Sequence, residues 1–506
     1  MLVSGPVAQE KQGTWVISVI GATLKKLRDD AHDAALSPDG TQIIYRDSVV
    51  HGMWLMNADG GQAKLFLKPE TGEYFLNPTW FRNGKRIVYA RYRFTNGAPS
   101  VVLESRNLQG GDPVMLLANR RVTDFCLAPD SRVVYGVREL PPNQYDSNLW
   151  QIRLDEDSGK PKGSPRRLTD WTGFSFVDPG FTADGGRFSF LNTRGQSDVY
   201  LAELTNGGTA LKAPQRLTLD ERVDWPGGWS ADSKTVFLYS DRNGNLDIYK
   251  QGINDRNAET VASGPEEKWS PQVSPDGKWV LYMQWAATAD GVAPPTGKLM
   301  RVPIGGGPAE TVFEIKGHPG FALGGNDPVN TAGGFPSFRC PAHGTTCLVA
   351  EQGEGQVIFT PFDPAQGRKT GETKVTFDPD NAGWDLSPDG TRVAISLFDY
   401  KNAEVQIVPL TSGASGGATR KLSAMPWTEL STVAWAADGK SLYLSSFSSR
   451  GSTLVHMDLS GSSKPLFKDQ SWDIFALSPS PDGKYLAFGP IINNANAWTI
   501  AAFPRK

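Results

Sequence analysis

The stretch LSPDGTQIIY, residues 36–45, decides the fold because the chain repeats it. It returns as VSPDGKWVLY (273–282), LSPDGTRVAI (386–395) and PSPDGKYLAF (479–488), with weaker copies starting at residues 80, 127, 181, 229 and 435. A degenerate copy centred on Ala342-His343-Gly344 fills the one wide gap, giving ten units with a mean spacing of about 49 residues. A fixed period of this length indicates a repeat architecture.

Each unit predicts four short strands. An apolar strand reaches the Asp-Gly turn, whose residues tolerate the dihedral angles of a tight turn. An alternating strand such as 86–90 follows, then a strand with an aromatic residue such as 149–152, then a fourth strand such as 167–169. Four strands at this period predict an all-β chain, a β-propeller of about ten four-stranded repeats.

The number of units predicts two propellers in tandem, since a ring usually holds four to eight blades. Counting back six units from the end gives a second propeller at 215–506, with residues 216–218 completing its last blade. The first propeller, 1–214, then starts inside a blade and looks incomplete. One very large ring is the alternative. The Gly-rich stretch 317–334 is predicted to be a long loop.

Composition excludes several classes of protein. The 51 Lys and Arg residues nearly balance the 54 Asp and Glu residues, so no basic surface for nucleic acid is expected. Apolar runs stay far below the ~20 residues of a membrane helix, so no membrane segment is expected. No charged and then apolar stretch opens the chain, so we expect no secretion signal in it.

Four polar residues stand six positions before successive turns, namely Asp33, Asn77, Asp124 and Asp178. Equal offsets on equivalent strands place side chains at equal heights, so we expect all four at one opening of the first ring. Oxygen ligands from neighbouring strands suit Ca²⁺, and His32 would be the proton carrier if chemistry occurs there. The alternative is that these side chains cap strand ends or line a water-filled channel.

A looser acidic set is predicted to bind ligand in the second half. Glu267, Glu429 and Asp473 stand nine residues before their turns, with Asp224 and Asp385 nearby. The same two interpretations apply to them, a polar ligand site or a set of strand-end caps.

Two motifs imitate functional sites. Residues 413–417 spell Gly-Ala-Ser-Gly-Gly, but a nucleophile elbow needs a strand before it and a helix after it, and this string lies in a Ser- and Gly-rich loop. Residues 241–247 imitate a calcium loop with the glycine at the fourth position instead of the sixth. A hairpin turn is the favoured interpretation there.

The cysteine and histidine residues give few further signals. Cys340 and Cys347 flank the degenerate turn, where either a disulfide or two separate buried thiols would fit. Cys126 lies on an inner strand and is predicted to belong to the core. The five histidines show no zinc spacing.

The Ser-Pro-Asp-Gly turns resemble the WD-repeat-like propellers of TolB-type proteins and of the non-catalytic domains of prolyl-oligopeptidase-like and tricorn-like proteases. A narrower resemblance covers roughly 335–506. The stretches FRCPAHGTTCLVAE (338–351), FTPFDPAQGR (359–368) and RGSTLVHMDLSG (450–461) are similar to the sensor propeller of certain bacterial receptor Ser/Thr kinases and winged-helix regulators. That resemblance implies a periplasmic or otherwise extracytoplasmic location.

The sequence thus favours a non-catalytic sensor propeller, separated from its output domain, that binds a small-molecule or protein ligand at its mouth. The alternative is a calcium-dependent hydrolase of esters, lactones or phosphotriesters with its site at the propeller axis, an analogy of fold alone. An interaction scaffold would instead show large apolar surface patches.

Overall fold

The structure is a computed structural model. It describes residues 2–5, 13–17, 23–47, 50, 52–70, 73–95, 98–140, 146–220, 222–286, 296–317, 335–353, 356–376, 382–397, 403–410, 418–424, 426–427, 429–448 and 451–501. Within these ranges the ordered elements are strands, and the secondary structure contains no helix. It follows that no described helix is long and apolar enough to span a membrane.

The described residues of 1–194 and 495–501 form one compact unit. Its three complete antiparallel sheets each run from an inner strand outwards. They are β4 (Ala31–Leu36), β5 (Gln42–Asp47), β6 (Met53–Asn57), β7 (Lys64–Leu67); β8 (Glu73–Trp80), β9 (Arg86–Thr95), β10 (Ala98–Asn107), β11 (Val114–Ala118); and β12 (Val122–Leu127), β13 (Arg132–Arg138), β14 (Ser147–Leu154), β15 (Pro161–Arg167). A three-stranded sheet precedes them, formed by β1 (Leu2–Gly5), β2 (Gly13–Ile17) and β3 (Leu24–Asp29).

The described residues of 195–494 form the second unit. Five of its sheets have four consecutive strands. They are β21 (Asp224–Trp229), β22 (Thr235–Ser240), β23 (Asp247–Gly252), β24 (Glu259–Ala262); β25 (Glu267–Val273), β26 (Trp279–Trp285), β27 (Thr296–Pro303), β28 (Glu310–Lys316); β29 (Ser337–Arg339), β30 (Cys347–Gly353), β31 (Gln356–Phe362), β32 (Thr373–Val375); β33 (Ala382–Leu386), β34 (Arg392–Leu397), β35 (Glu404–Pro409), β36 (Arg420–Ser423); and β37 (Leu430–Trp435), β38 (Ser441–Ser448), β39 (Gly451–Asp458), β40 (Ser463–Asp469).

One seven-stranded sheet joins strands from distant parts of the chain. It consists of β16 (Phe176–Phe181), β17 (Arg187–Ser197), β18 (Tyr200–Thr205), β19 (Ala210–Leu211), β20 (Gln215–Arg216), β41 (Trp472–Pro479) and β42 (Tyr485–Ala501). The start of β42 pairs with β41 and β18, and β20 follows β18, which completes a four-stranded blade of the second unit. The end of β42 lies in the first unit with β16 and β17.

The architecture confirms the predicted all-β fold. The described sheets contain ten inner strands of antiparallel blades, which is consistent with tandem β-propellers. The predicted domain limits, 1–214 and 215–506, stay a prediction. Strand pairing nevertheless places two segments across the predicted boundary, because β18 belongs to a blade of the second unit and residues 495–501 pack in the first. In that blade of the second unit β20 pairs with β18, at the segment predicted to complete the last blade.

The repeated turn is a small hydrogen-bond network. Ser37 Oγ donates to Asp39 Oδ1 at 2.6 Å, and the Thr41 amide donates to the same oxygen at 3.1 Å. Gly40 supplies the left-handed φ of 74° that the turn requires. The Ser37 hydroxyl and the Thr41 amide hold the pKa of Asp39 below its usual range. The same Ser–Asp bond recurs at Ser230, Ser274, Ser387 and Ser480.

Neighbouring turns of the second unit are linked to one another. Arg392 donates to the Gly439 carbonyl oxygen at 3.1 Å, and the Asp482 amide donates to Ser233 Oγ at 3.1 Å. In the degenerate copy a disulfide between Cys340 and Cys347 stands where five other copies have a Ser–Asp bond. Cys126 is a free, buried thiol.

Candidate binding sites at the starts of the inner strands

The residues six positions before the turns lie at a backbone irregularity. The first two strands of a blade shift register there, between His32 and Ala35 in β4 and between Leu76 and Thr79 in β8. Asp33, Asn77 and Asp178 all have a φ of about 50°. Asn and Asp enter this left-handed region more readily than other non-glycine residues, so the bulge itself favours them at this position.

Asp124 connects three neighbouring inner strands of the first unit. Its Oδ1 accepts a hydrogen bond from the Asn77 side-chain amide at 2.7 Å, and its Oδ2 accepts one from the Asp178 backbone amide at 2.8 Å. The Phe125 amide also donates to Oδ1. Burial raises the pKa of Asp124 to about 6 in spite of these donors. The structure therefore brings Asn77, Asp124 and Asp178 together.

Asp33 is engaged elsewhere. Its Oδ2 accepts a hydrogen bond from Arg46 Nε at 2.9 Å, an ion pair between the first two strands of one blade. His32 is half-buried, and burial together with the Arg46 charge lowers its pKa, so its imidazole is neutral at neutral pH. Among the described residues, no hydrogen bond or ion pair joins Asp33 to the Asp124 group.

Asp124 is poorly placed to bind a calcium ion. A calcium ligand must turn an oxygen lone pair towards the cation, but both Asp124 oxygens already face N–H donors. Across the described part of the chain, no group of three or more Asp, Glu, His or Cys side chains is arranged to hold a metal. The arrangement instead matches strand-end capping, the alternative stated from the sequence.

In the second unit Asp224 and Glu267 also hold neighbouring chain segments. Asp224 is fully buried and pairs with Arg242 at 2.8 Å, and Arg242 also pairs with Asp220 at 2.9 Å. Glu267 Oε2 accepts a hydrogen bond from the Leu246 amide of the preceding blade at 2.8 Å. Burial raises the pKa of Asp224 to about 6 and that of Glu267 to about 7.

Asp385 forms a link of the same kind. Its Oδ2 accepts the Trp435 amide at 2.8 Å, and its Oδ1 lies 3.4 Å from Arg339 Nε. The Arg339 guanidinium stacks 5.2 Å from the centre of the Trp384 ring. Burial raises the pKa of Asp385.

Glu429 differs from the other acids of this set. No hydrogen bond to its carboxylate occurs within the described residues, and its φ of 51° places it in the left-handed region. Burial alone raises its pKa. Asp473 is half-buried at the start of β41. Among the described residues, the half-buried Glu429 carboxylate therefore lacks an internal partner, and the fully buried Asp224 keeps one oxygen, Oδ2, without a hydrogen bond.

The loop that imitates a calcium site is occupied by a lysine. Asp247, at its end, accepts a hydrogen bond from Lys268 Nζ at 3.1 Å, and the Glu266 carbonyl oxygen accepts another at 2.7 Å. The Lys268 and Asp247 side chains are almost fully buried. Asp241 accepts the Val223 amide at 2.9 Å. The segment is a hairpin turn, and its two end carboxylates are engaged by different groups of the protein.

The cationic partners were not identified from the sequence. Arg46, Arg339 and Lys268 lie on other strands than the acids that they pair with, and Arg242 lies in the turn after β22. A signal exists for Arg242, which follows Asp241 in the calcium-like string. Residues 413–417 and 318–334, named in the sequence analysis, lie outside the described residues.

Comparison with known proteins places this architecture among its relatives. No family model matches the chain. An uncharacterized protein of Agrobacterium fabrum is 28% identical over 266 residues, which cover 50% of this chain and 80% of the relative. The Tol-Pal system protein TolB of Francisella tularensis is 25% identical over 134 residues, 26% of this chain and 29% of the relative. The chain is related to TolB-type β-propellers.

The relationship of this TolB-type propeller to TolB itself is partial, because the match spans 29% of that relative's length. Among solved structures, a putative TolB from Agrobacterium tumefaciens is 15% identical over 60% of this chain and 89% of its own, with a TM-score of 0.22.

Proposed function

We propose that this chain is a non-catalytic binding module, a sensor-type propeller of an extracytoplasmic compartment that takes up a small-molecule or protein ligand at the mouth formed by its inner strands. The observation that supports this proposal is that the carboxylates at the starts of the inner strands are hydrogen-bonded within the protein. Asp124, Asp224, Glu267 and Asp385 are each held by N–H or guanidinium donors of the protein itself. Asp124, Glu267 and Asp385 thereby bond to a neighbouring blade, and Asp224 bonds within its own blade. Carboxylates engaged in this way are poor candidates for proton transfer or nucleophilic attack.

Glu429 supports a ligand with a cationic group. A half-buried carboxylate without an internal partner gains a charge-assisted hydrogen bond when an ammonium or guanidinium group arrives. The name of the Francisella relative, a Tol-Pal system protein, supports a protein as the source of that group. The Cys340–Cys347 disulfide supports an oxidising compartment.

The catalytic alternative is tested by turnover. The purified chain is assayed against ester, lactone, phosphotriester and sulfate substrates, with and without Ca²⁺. We expect no turnover above the uncatalysed rate. Turnover that is lost when Asp124 is replaced by Asn would overturn the proposal in favour of a hydrolase.

Ligand binding is tested with spermidine and a tetralysine peptide by isothermal titration calorimetry. We expect Glu429→Gln to weaken binding at least fivefold, since it removes one charge-assisted hydrogen bond. Glu259→Gln is the matched control, because Glu259 is an exposed glutamate of the same unit. Equal affinity of both variants for both probes would exclude Glu429 as the contact.

A further inference from the structure

The last sheet of the first unit has one strand fewer than the complete blades. It consists of β16, β17 and the end of β42, and the described residues provide no strand beyond residues 496–501. Residues 496–499 are exposed, and the Trp498 side chain retains 46% of its accessible surface. An edge of this kind offers unpaired backbone groups to an extended segment.

The end of β42 is equivalent to the third strand of two complete blades. Asn496-Ala497-Trp498 corresponds to Asn148-Leu149-Trp150 in β14 and to Asp198-Val199-Tyr200 before and in β18. Trp498 stacks edge-on against Phe174 at 5.4 Å, and Ile500 packs on the cluster that contains Phe176 and Phe188. The strand thus packs in its blade as a third strand, and no described strand covers its outer side.

The two complete blades show what covers this side. In both, the segment beside the third strand has the sequence Arg-Leu-Thr, at residues 167–169 and 216–218. The arginine pairs with the aromatic residue, Arg167 with Trp150 and Arg216 with Tyr200. The leucine amide donates to the carbonyl oxygen of the residue that precedes the aromatic one on the third strand. Leu168 donates to Leu149 and Leu217 donates to Val199, each at 2.7 Å.

The threonine completes the recognition. Thr169 Oγ1 accepts the Leu149 amide at 2.9 Å, and Thr218 Oγ1 accepts the Val199 amide at 3.0 Å. The polar residue one position earlier binds the same segment. Asn148 Oδ1 accepts the Thr169 hydroxyl at 2.8 Å, and Asp198 Oδ1 accepts Arg216 at 2.6 Å. Asn496, which occupies this position in the incomplete blade, is exposed.

We propose that the outer edge of residues 496–501 is a strand-addition site for an extended segment of another polypeptide that carries the sequence Arg-Leu-Thr. The arginine lies beside Trp498, the leucine amide donates to the Ala497 carbonyl oxygen, and the threonine hydroxyl oxygen accepts the Ala497 amide. Main-chain hydrogen bonds supply the affinity in such complexes, and side chains supply the specificity. The chain's own two Arg-Leu-Thr sequences already serve their own sheets. This site is separate from the ligand site proposed above.

The probe is a fluorescein-labelled peptide copying residues 213–220, APQRLTLD, followed by fluorescence anisotropy. We expect saturable binding that weakens at least tenfold in Trp498→Ala, because the arginine loses its packing surface. Met115→Ala is the matched control, since Met115 is 63% exposed on β11, the fourth strand of a complete sheet. This control should bind as the unaltered protein does.

The backbone contribution is tested without altering the protein. A peptide N-methylated at its leucine should bind at least tenfold more weakly, because the methyl group removes the donor for the Ala497 carbonyl oxygen. Hydrogen exchange should slow at residues 496–501 when the unmodified peptide is present. The proposal is overturned if the unmodified peptide does not bind, if both peptides bind equally, or if protection appears at β18 instead.

Discussion

Removing the Cys340–Cys347 disulfide tests whether this covalent link replaces the hydrogen-bonded turn of the other repeats. The change is the double variant Cys340→Ala/Cys347→Ala, alongside reduction of the unaltered protein. The bridged residues are seven apart. For a closed loop of about eight residues, chain entropy gives a stabilisation of roughly 2.5 kcal/mol at 25 °C.

The loss should be local, because other contacts still hold the hairpin. The Cys340 amide donates to Gln272 Oε1 at 2.7 Å, and the His343 amide donates to the Pro388 carbonyl oxygen at 2.8 Å. Both bonds join the hairpin to neighbouring blades and do not depend on sulfur. We therefore expect β29 and β30 to open more easily while the second unit stays folded.

Native-state hydrogen exchange measures this opening directly. A loss of about 2.5 kcal/mol corresponds to roughly 70-fold faster exchange of the β29 and β30 amides. Amides of β12 and β13 in the first unit serve as the internal reference and should not change. Acceleration below about threefold, or equal acceleration in both units, would refute the loop-entropy argument.

Three further predictions concern single side chains. The pKa of Glu267 in the folded protein is raised to about 7, so the wild-type free energy of unfolding should increase as the pH falls from about 7 towards 4.5. Glu267→Gln should remove this pH dependence of the stability of the second unit, as measured by urea titration at several pH values. Asp389→Ala removes three acceptor contacts, from Ser387 and Thr391, whereas Asp438→Ala removes one, from the Lys440 amide, so chemical denaturation should show the first variant to be less stable by about 1–3 kcal/mol. Lys268→Met should cost about 3–5 kcal/mol because it leaves the buried Asp247 carboxylate unpaired, and adding Asp247→Leu should restore part of that stability; no recovery in the double variant would contradict the pairing.

The repeated turns could be predicted because their chemistry is local. Ser387, Asp389 and the glycine that follows form a hydrogen-bonded unit within a few residues, so the sequence alone specifies the turn and the strands on either side. All ten inner strands were found in this way. The path of β42 could not be predicted, because it depends on pairing with β17 and β18, nearly 300 residues earlier.

The acidic pattern shows why site prediction was less complete. Asp33, Asn77 and Asp178 share a left-handed backbone with Ser270 and Ala476, which stand at the same offset and carry no charge. The bulge therefore imposes a conformational requirement at this position whatever the side chain does. Asp and Asn are expected both at a left-handed bulge position and in a polar ligand site, so the sequence alone does not distinguish the two.

The position of β42 has a consequence during biosynthesis. Trp498 packs on Phe174, so the last sheet of the first unit lacks its third strand until the ribosome has added more than 300 residues. At about 5–20 residues per second, that interval lasts roughly 15–60 s. Throughout it β17 presents a bare edge beside the aromatic cluster of Phe176 and Phe190, the kind of surface that holdase chaperones bind. The first unit is therefore completed only once residues 495–501 have been synthesised, and we expect rapid production to require chaperones that cover this edge in the interval.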